Sequence, residues 1–280
     1  MIDLHSHSTA SDGSCAPAQL VALAAETGLS ALALTDHDTV AGIPEAEAAA
    51  RERGLRLIRG VELEIAFEPG EFHLLGLGLE RLDGELGAAL VGLGRAREDR
   101  NERILSRLSG AGISVDMDEL RELAGGGRIG RPHIAGLLVR HKAVRTRQEA
   151  FDRYLGKGRP FYEAKDCLEL AQAMRLIREA GGRVIVAHPL SLFVSWGRLT
   201  SIMDEWKELR IDGIEAYHPA AKIGQCRRLE RMGRERGFRI SAGSDFHGAI
   251  RPDRKLGRTA GNLQIQDSYL EELGLGERPA

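Results

Sequence analysis

Seven short apolar runs recur along this chain, and the stretches between most of them read as amphipathic helices. The runs are Ile2–His5, Ala31–Thr35, Leu55–Glu62, Phe72–Gly78, Val184–Ala187, Gly213–Ala216 and Arg239–Ala242. Several of the helices stop at glycine: Pro17–Thr27 before Gly28, Glu45–Arg53 before Gly54, Leu168–Ala180 before Gly181 and Gly182. Glycine just past the last turn supplies the left-handed conformation that closes a helix. Strands alternating with helices argue a parallel βα architecture. Seven strands are too many for a small doubly wound sheet and suit a barrel. The expected fold class is therefore α/β, a distorted (β/α)7 barrel with a helical insertion subdomain.

The insertion is residues 95–160, where the rhythm breaks and only helical patterns remain, around the loop Gly125-Gly-Gly-Arg-Ile-Gly-Arg-Pro132. It holds 15 Lys/Arg against 9 Asp/Glu, a local charge of +6, so the rest of the −2 chain carries −8. The expected organisation is a barrel of residues 1–94 and 161–280, with the basic insertion lying over its active site. At 280 residues, 42% hydrophobic and 29% charged, the composition excludes collagen-like, low-complexity and disordered classes. No apolar run reaches the roughly 18 residues that span a bilayer. The opening Met-Ile-Asp-Leu-His lacks a secretory signal, and Cys15, Cys167 and Cys226 are widely spaced, which together suit reduced thiols in the cytoplasm.

The nine histidines carry the chemistry. The first strand ends in Asp3-Leu-His5-Ser-His7 with Asp12 beyond it, and residues two apart on a strand face the same way. The second strand ends in Thr35-Asp36-His37-Asp38, the third in Glu62, and the fifth in Ala187-His188-Pro189. The sixth runs through Ile214-Glu215-Ala216-Tyr217-His218, and the seventh into Gly243-Ser-Asp245-Phe-His247. Any one of these is as readily a core histidine or a surface acid. Seven strands each bearing such a residue near one rim is a different matter, because the strand ends of a parallel barrel converge on the face that builds active sites. His73 is the exception, standing at the start of the fourth strand.

Imidazole and carboxylate without thiolate suit Mn²⁺, Fe²⁺ or Zn²⁺ and exclude cysteine-rich zinc and iron–sulfur sites. Nine candidates exceed the needs of one ion, so a multinuclear cluster is expected, with Glu62 able to bridge two ions. Such clusters acidify a bridging water and hold the attacking and leaving oxygens of a phosphoryl displacement. His218 then serves as candidate proton donor.

These residues, Asp3-Leu-His-Ser-His7, Ser11-Asp-Gly13, Thr35-Asp-His-Asp38, Glu62, Ala187-His-Pro189 and Gly243-Ser-Asp-Phe-His247, resemble the polymerase and histidinol phosphatase (PHP) superfamily over nearly the whole chain. The resemblance implies a distorted seven-stranded barrel and three divalent ions per chain, Mn²⁺ favoured. One ion would take His5, His7, Glu62 and Asp245; a second would share Glu62 and add His73 and His188; the third would take Asp12, His37 and His247. Asp36 and Asp38 become acids that support ligands, with Asp36 also a catalytic candidate. The insertion likens the chain to the branch of 3′,5′-nucleoside bisphosphate phosphatases and 5′–3′ exoribonucleases. In that branch a Gly-Arg-Pro-His stretch, here Gly130-Arg131-Pro132-His133, meets the substrate. Arg131 and His133 are thus expected phosphate contacts. Lys165 is expected as a point charge for a second phosphate. After His188-Pro189 the branch carries a glycine-arginine stretch, whereas this chain reads Leu190-Ser-Leu-Phe-Val-Ser-Trp-Gly-Arg198, so Arg198 becomes the candidate cation there.

The expected function is metal-dependent hydrolysis of nucleotide phosphate esters: 3′,5′-bisphosphonucleotides, mononucleotides or the 5′ ends of short oligonucleotides. A histidinol phosphate phosphatase, an amidohydrolase and a non-catalytic regulatory module are the alternatives. The Gly-Arg-Pro-His stretch argues against the first, no strand-end lysine suits bridging two metals in the second, and the full ligand set argues against the third. Neither a membrane nor a protein partner is expected, and with few aromatics and a net negative charge, long nucleic acid is disfavoured as the main ligand.

Overall fold

The structure is a computed structural model that describes residues 1–113, 115–124, 129–164 and 166–276. Among them lie seven strands in the order of the sequence: β1 (Ile2–Asp3), β2 (Ala31–Leu34), β3 (Arg56–Ile65), β4 (Phe72–Leu77), β5 (Arg183–Ala187), β6 (Gly213–Tyr217) and β7 (Arg239–Ala242). Each overlaps one of the seven apolar runs. The helices are α1 (Pro17–Glu26), α2 (Ile43–Arg53), α3 (Gly84–Gly110), α4 (Met117–Ala124), α5 (Arg131–Arg140), α6 (Arg147–Ala150), α7 (Leu170–Glu179), α8 (Trp196–Glu208), α9 (Ile223–Glu235) and α10 (Ser268–Glu272). The chain folds as two compact units, Met1–Ala88 with Leu168–Ala280, and Ala89–Cys167.

In the first unit the sheet curls until its edges nearly meet. A bridge between Ser6 and Phe246, with the His7 amide donating to the Phe246 carbonyl at 2.9 Å, links the end of β1 to the segment after β7. The buried Asp3 carboxylate reinforces that seam by accepting from the amides of His5, Ser244 and Gly257. Burial raises its pKa to about 6 against the lowering effect of those bonds. Strand faces alternate as the two-residue period requires: Ala31 and Ala33 point into the barrel interior with Leu75, Leu77 and Ile185. Leu32 and Leu34 point outward, where they pack with Leu20, Val21 and Ile43 from α1 and α2. Each such buried leucine or isoleucine contributes roughly 1.5–3 kcal/mol of transfer free energy.

The sheet departs from the all-parallel expectation at β4, which runs antiparallel to both β3 and β5. The cause is the length of the link. Six residues separate Ile65 from Phe72, enough for a hairpin but short of the dozen or so that a parallel crossover needs. The reversal also resolves the anomaly of His73. The N-terminal end of β4 lies at the rim where its neighbours end, with His73 paired to Glu64 on one side and Ala187 on the other.

The second unit is helical among its described residues. Ile104, Leu108, Leu120, Ile134, Leu137, Leu138 and Leu155 form its own buried core. The Thr146 side chain caps α6 by accepting from the Glu149 amide at 3.1 Å. The glycine run 125–128 and Lys165 lie outside the described residues.

Candidate metal centre

At the strand-end rim of the first unit, loops are knitted so that side chains turn inward. The Asp36–Asp38 loop pairs along β3: the Glu62 amide donates to the Asp36 carbonyl, the Asp38 amide to the Glu62 carbonyl, and the Glu64 amide to the Asp38 carboxylate. His37 is thereby held beside Glu62. The Asp36 carboxylate accepts from the Ser8 amide and hydroxyl, both at 2.7 Å, and from the Ser11 hydroxyl at 2.6 Å. With both oxygens committed to the loop between His7 and Asp12, Asp36 positions ligands. Asp38, His188 and Asp245 all have positive φ, at 49°, 27° and 48°. Non-glycine residues hold that strained region where surrounding structure enforces it, commonly at functional sites.

The ligand candidates meet in three groups whose potential ligand atoms lie within 4.8 Å of one another: His5, His7, Glu62 and Asp245; His7, Asp12, His37 and His247; and His37, Glu62 and His73. Glu62 is fully buried at the centre. Its Oε2 lies 3.2 Å from His5 Nε2, 3.3 Å from His7 Nε2 and 3.0 Å from His37 Nδ1. Its Oε1 lies 2.9 Å from His73 Nδ1 and 3.0 Å from His188 Nε2. Asp245 Oδ1 is 3.1 Å from His7 Nε2, and Asp12 Oδ1 is 3.3 Å from His247 Nε2. All nine side chains expected to bind metal come to one rim.

Outer bonds choose which ring nitrogen faces the centre. His247 Nδ1–H donates to the Asp245 carbonyl at 2.8 Å, leaving its Nε2 lone pair toward Asp12. His188 Nδ1–H donates to the Ser191 hydroxyl at 2.8 Å, turning Nε2 toward Glu62. His5 Nδ1 lies 3.0 Å from Glu215, whose other oxygen accepts from the His188 amide at 2.8 Å. Glu215, fully buried on β6, was not singled out in the sequence reading. Its signal was there, as an acid between Ile214 and Ala216 on an otherwise apolar strand.

The charges are tightly coupled. Burial would raise the Glu62 carboxyl, but His37, His5 and His73 outweigh it and hold it well below the usual range. Burial would likewise raise Glu215, yet His5 draws it down to about 2. Burial pushes His5 downward, but Glu62 and Glu215 lift it to about 10. His37, His188 and His247 are lowered chiefly by burial, which favours neutral imidazole, the form that binds metal.

Whether these residues fit metal ions is answered by their unmet bonding. His5 Nε2, both ring nitrogens of His7, Glu62 Oε2 and His247 Nε2 are buried and have no hydrogen-bond partner. Buried polar atoms are ordinarily satisfied, and leaving several orphaned in one place is costly. Imidazole nitrogens converging on a buried carboxylate oxygen are a ligand set for divalent cations once His5 gives up its proton. The residues fit.

A cavity of about 390 Å³ opens beside this cluster, lined by His37, His73, His188, His218, Phe193, Arg251 and Arg254 among others. His218 Nδ1 accepts from the Ala220 amide, so its Nε2–H donates to Asp245 Oδ2 at 3.1 Å. Burial holds its pKa well below the ordinary value, leaving it neutral at pH 7. It offers an N–H hydrogen bond that fixes Asp245, at the rim where a proton donor was expected. Arg254, also buried, bonds the same Asp245 oxygen and the Asp245 carbonyl. After His188, Pro189–Leu192 form a 3₁₀ turn, Ser195 caps α8, and Arg198 falls exposed in the first turn of that helix, outside the cavity lining. The cations at the cavity are Arg251 and Arg254, which sequence reasoning missed because nothing in the run after His247 marks them. In the second unit, Arg131 opens α5 with its guanidinium 5.2 Å from the Tyr162 ring centroid, and His133 Nδ1 accepts from the Gly130 amide at 3.1 Å.

Comparison with known proteins agrees with this geometry. Residues 3–155 match the PHP domain family. A 5′-3′ exoribonuclease of Haemophilus influenzae is 38% identical over 271 residues, covering 96% of this chain and 96% of that protein. A 3′,5′-nucleoside bisphosphate phosphatase of Chromobacterium violaceum is 31% identical over 259 residues, covering 92% and 91%. A solved structure from Bifidobacterium adolescentis, described provisionally as a metal-dependent phosphoesterase, superposes with a TM-score of 0.80 at 29% identity, covering 99% of this chain and 96% of that one.

Proposed function

We infer that this chain, which belongs to the PHP domain family, is a metal-dependent phosphoesterase acting on phosphate esters of nucleotides. The observation that carries the reading is the set of orphaned, buried ring nitrogens gathered with the orphaned Glu62 Oε2 beside an open cavity. We assign one ion to His5, His7, Glu62 and Asp245, a second to Glu62, His73 and His188, and a third to Asp12, His37 and His247. The meeting of candidate ligand atoms in three groups supports three ions, the second set drawing on His188 3.0 Å from Glu62; the imidazole–carboxylate chemistry suits Mn²⁺, Fe²⁺ or Zn²⁺, and the family resemblance favours Mn²⁺. Bound there, divalent ions supply an acidified water and positive charge for the attacking and leaving oxygens of a phosphoryl displacement. The protein's own part is to orient and to exclude. Glu215, Ser191 and the Asp245 carbonyl fix the ring orientations of His5, His188 and His247. His218 and Arg254 hold Asp245 Oδ2, which leaves Oδ1 facing His5 and His7.

The substrates we propose are 3′,5′-bisphosphonucleotides, mononucleotides or the 5′ ends of short oligonucleotides, after the named activities of the two relatives. Arg251 on the cavity wall, together with Arg131, His133 and Lys165, is proposed to meet substrate phosphates, since a guanidinium forks two donors onto one phosphate. No helix among the described residues is long and apolar enough to cross a membrane. The wide spacing of Cys15, Cys167 and Cys226 along the sequence supports a reducing cytoplasm as the enzyme's place. A substrate panel in Mn²⁺ tests the reading: adenosine 3′,5′-bisphosphate, AMP, a 5′-phosphorylated trinucleotide and histidinol phosphate. Turnover of nucleotide esters well above histidinol phosphate is expected. Preference for histidinol phosphate would reassign the enzyme, and retained metal with no turnover of any ester would make it a regulatory module.

A further inference from the structure

We propose that Phe193 is the residue on which the substrate's nucleobase stacks, an inference that rests on the nucleotide reading above. Phe193 is 76% exposed although it is a large aromatic side chain, and it lines the cavity beside the metal cluster. Its backbone stands at φ 51° and ψ 36°, the left-handed conformation that glycine or asparagine ordinarily takes at such a turn end. A bulky ring at a strained position, gaining so little burial of its own, is accounted for by contact with something outside the chain.

The segment that presents it is stiff. The Phe193 amide donates to the Leu190 carbonyl at 3.2 Å, closing the 3₁₀ turn Pro189–Leu192. The Glu71 amide donates to the Ser191 carbonyl at 2.8 Å, and the Ser191 hydroxyl lies 2.8 Å from the Glu71 carbonyl. Gly70 lets the link between β3 and β4 lie flat against this turn, since a Cβ there would stand 2.2 Å from the Ser191 carbonyl oxygen. One end of the turn holds His188 against Glu62, and the other carries Phe193. A 3₁₀ turn advances about 2 Å per residue, so the four residues Pro189–Leu192 set its two ends roughly 6–8 Å apart along the backbone. That separation suits a nucleotide whose phosphate meets the cluster and whose base lies at the mouth. Pro189, Leu190 and Leu229 add apolar wall to the same cavity. Stacking on an aromatic face is tolerant of base identity, because every base has a π-face.

The test compares Phe193→Ala with Phe193→Trp in the metal-loaded full chain. The two substrates are adenosine 3′,5′-bisphosphate and its abasic analogue, 1-deoxyribose 3,5-bisphosphate. Phe193→Ala is expected to raise KM for the adenosine compound by about 5- to 150-fold with kcat nearly unchanged, the signature of lost uniform binding. KM for the abasic compound stays put, and Phe193→Trp restores the wild-type value. An unchanged KM for the adenosine compound, or an equal rise for both compounds, overturns the assignment while leaving the nucleotide reading standing. A wild-type enzyme that hydrolyses other phosphoesters but none of adenosine 3′,5′-bisphosphate, AMP and the 5′-phosphorylated trinucleotide removes the nucleotide reading and this inference with it.

Discussion

Replacing Glu215 with glutamine changes one atom of the fully buried side chain and bears directly on the metal site. The carboxylate accepts two donors, His5 Nδ1–H at 3.0 Å and the His188 amide at 2.8 Å. Glutamine has one acceptor oxygen. The His188 amide cannot invert, so it keeps that oxygen and the new NH₂ group faces His5. His5 must then carry its lone pair on Nδ1 and its proton on Nε2, which lies 3.2 Å from Glu62 and 3.5 Å from Asp245. A proton would stand where an ion binds. Outer partners of this kind are worth about 10- to 100-fold in metal affinity, or ~1.4–2.7 kcal/mol. Competition with a chromophoric chelator should show the Glu215→Gln chain losing its tightest ion by that margin, with the fold intact by circular dichroism. Long-range ¹⁵N–¹H NMR of the metal-free chain above pH 10, where His5 is neutral, should show its tautomer exchanged. Unchanged affinity together with an unchanged His5 tautomer would refute the reasoning, since the bond would then set nothing.

Three further outcomes follow from the same geometry. In the metal-free chain His5 is raised to about 10, so below that pH it holds a proton that a metal must displace. Binding near pH 7.5 should release at least one proton per chain, read from the buffer dependence of calorimetric heats, and affinity should climb about tenfold per pH unit toward 10. Gly243→Ala would set a Cβ 2.3 Å from His5 Cβ and 2.5 Å from Glu215 Oε1, so metal retention after dialysis should fall more steeply than in Gly224→Ala, where the space is open. Arg198→Ala should leave KM for adenosine 3′,5′-bisphosphate within about twofold of wild type, whereas Arg251→Ala should raise it about tenfold, in line with one lost charge-assisted bond.

The strand count and the rim of ligands were legible because each rests on local pattern. Apolar runs mark strands, and a histidine or acid at a strand's end is placed by the barrel whatever its neighbours do. The direction of β4 was legible in principle, in the short stretch between Glu62 and Phe72, but a uniform βα rhythm concealed it and made His73 look misplaced. Contacts across the barrel left no local trace. Glu215 meets His5 from 210 residues away, and Arg254 reaches Asp245 through a loop with no distinguishing pattern. Arg198 stands apart from the cavity lining for the converse reason. The chain after His188 reads as a loop, yet Ser195 caps a helix there and turns the arginine to solvent. His218 does stand at the rim, and the bonds of its two nitrogens to Asp245 and the Ala220 amide left no trace in the sequence.

The most direct test is a metal titration of the stripped chain, following bound ions by elemental analysis and hydrolysis of adenosine 3′,5′-bisphosphate in the same samples. Activity should be absent without metal, rise with loading, reach its plateau at three ions per chain, and vanish in His5→Ala and Asp245→Ala chains that remain folded. Hydrolysis by the metal-free chain, or full activity in either substituted chain, would contradict the account.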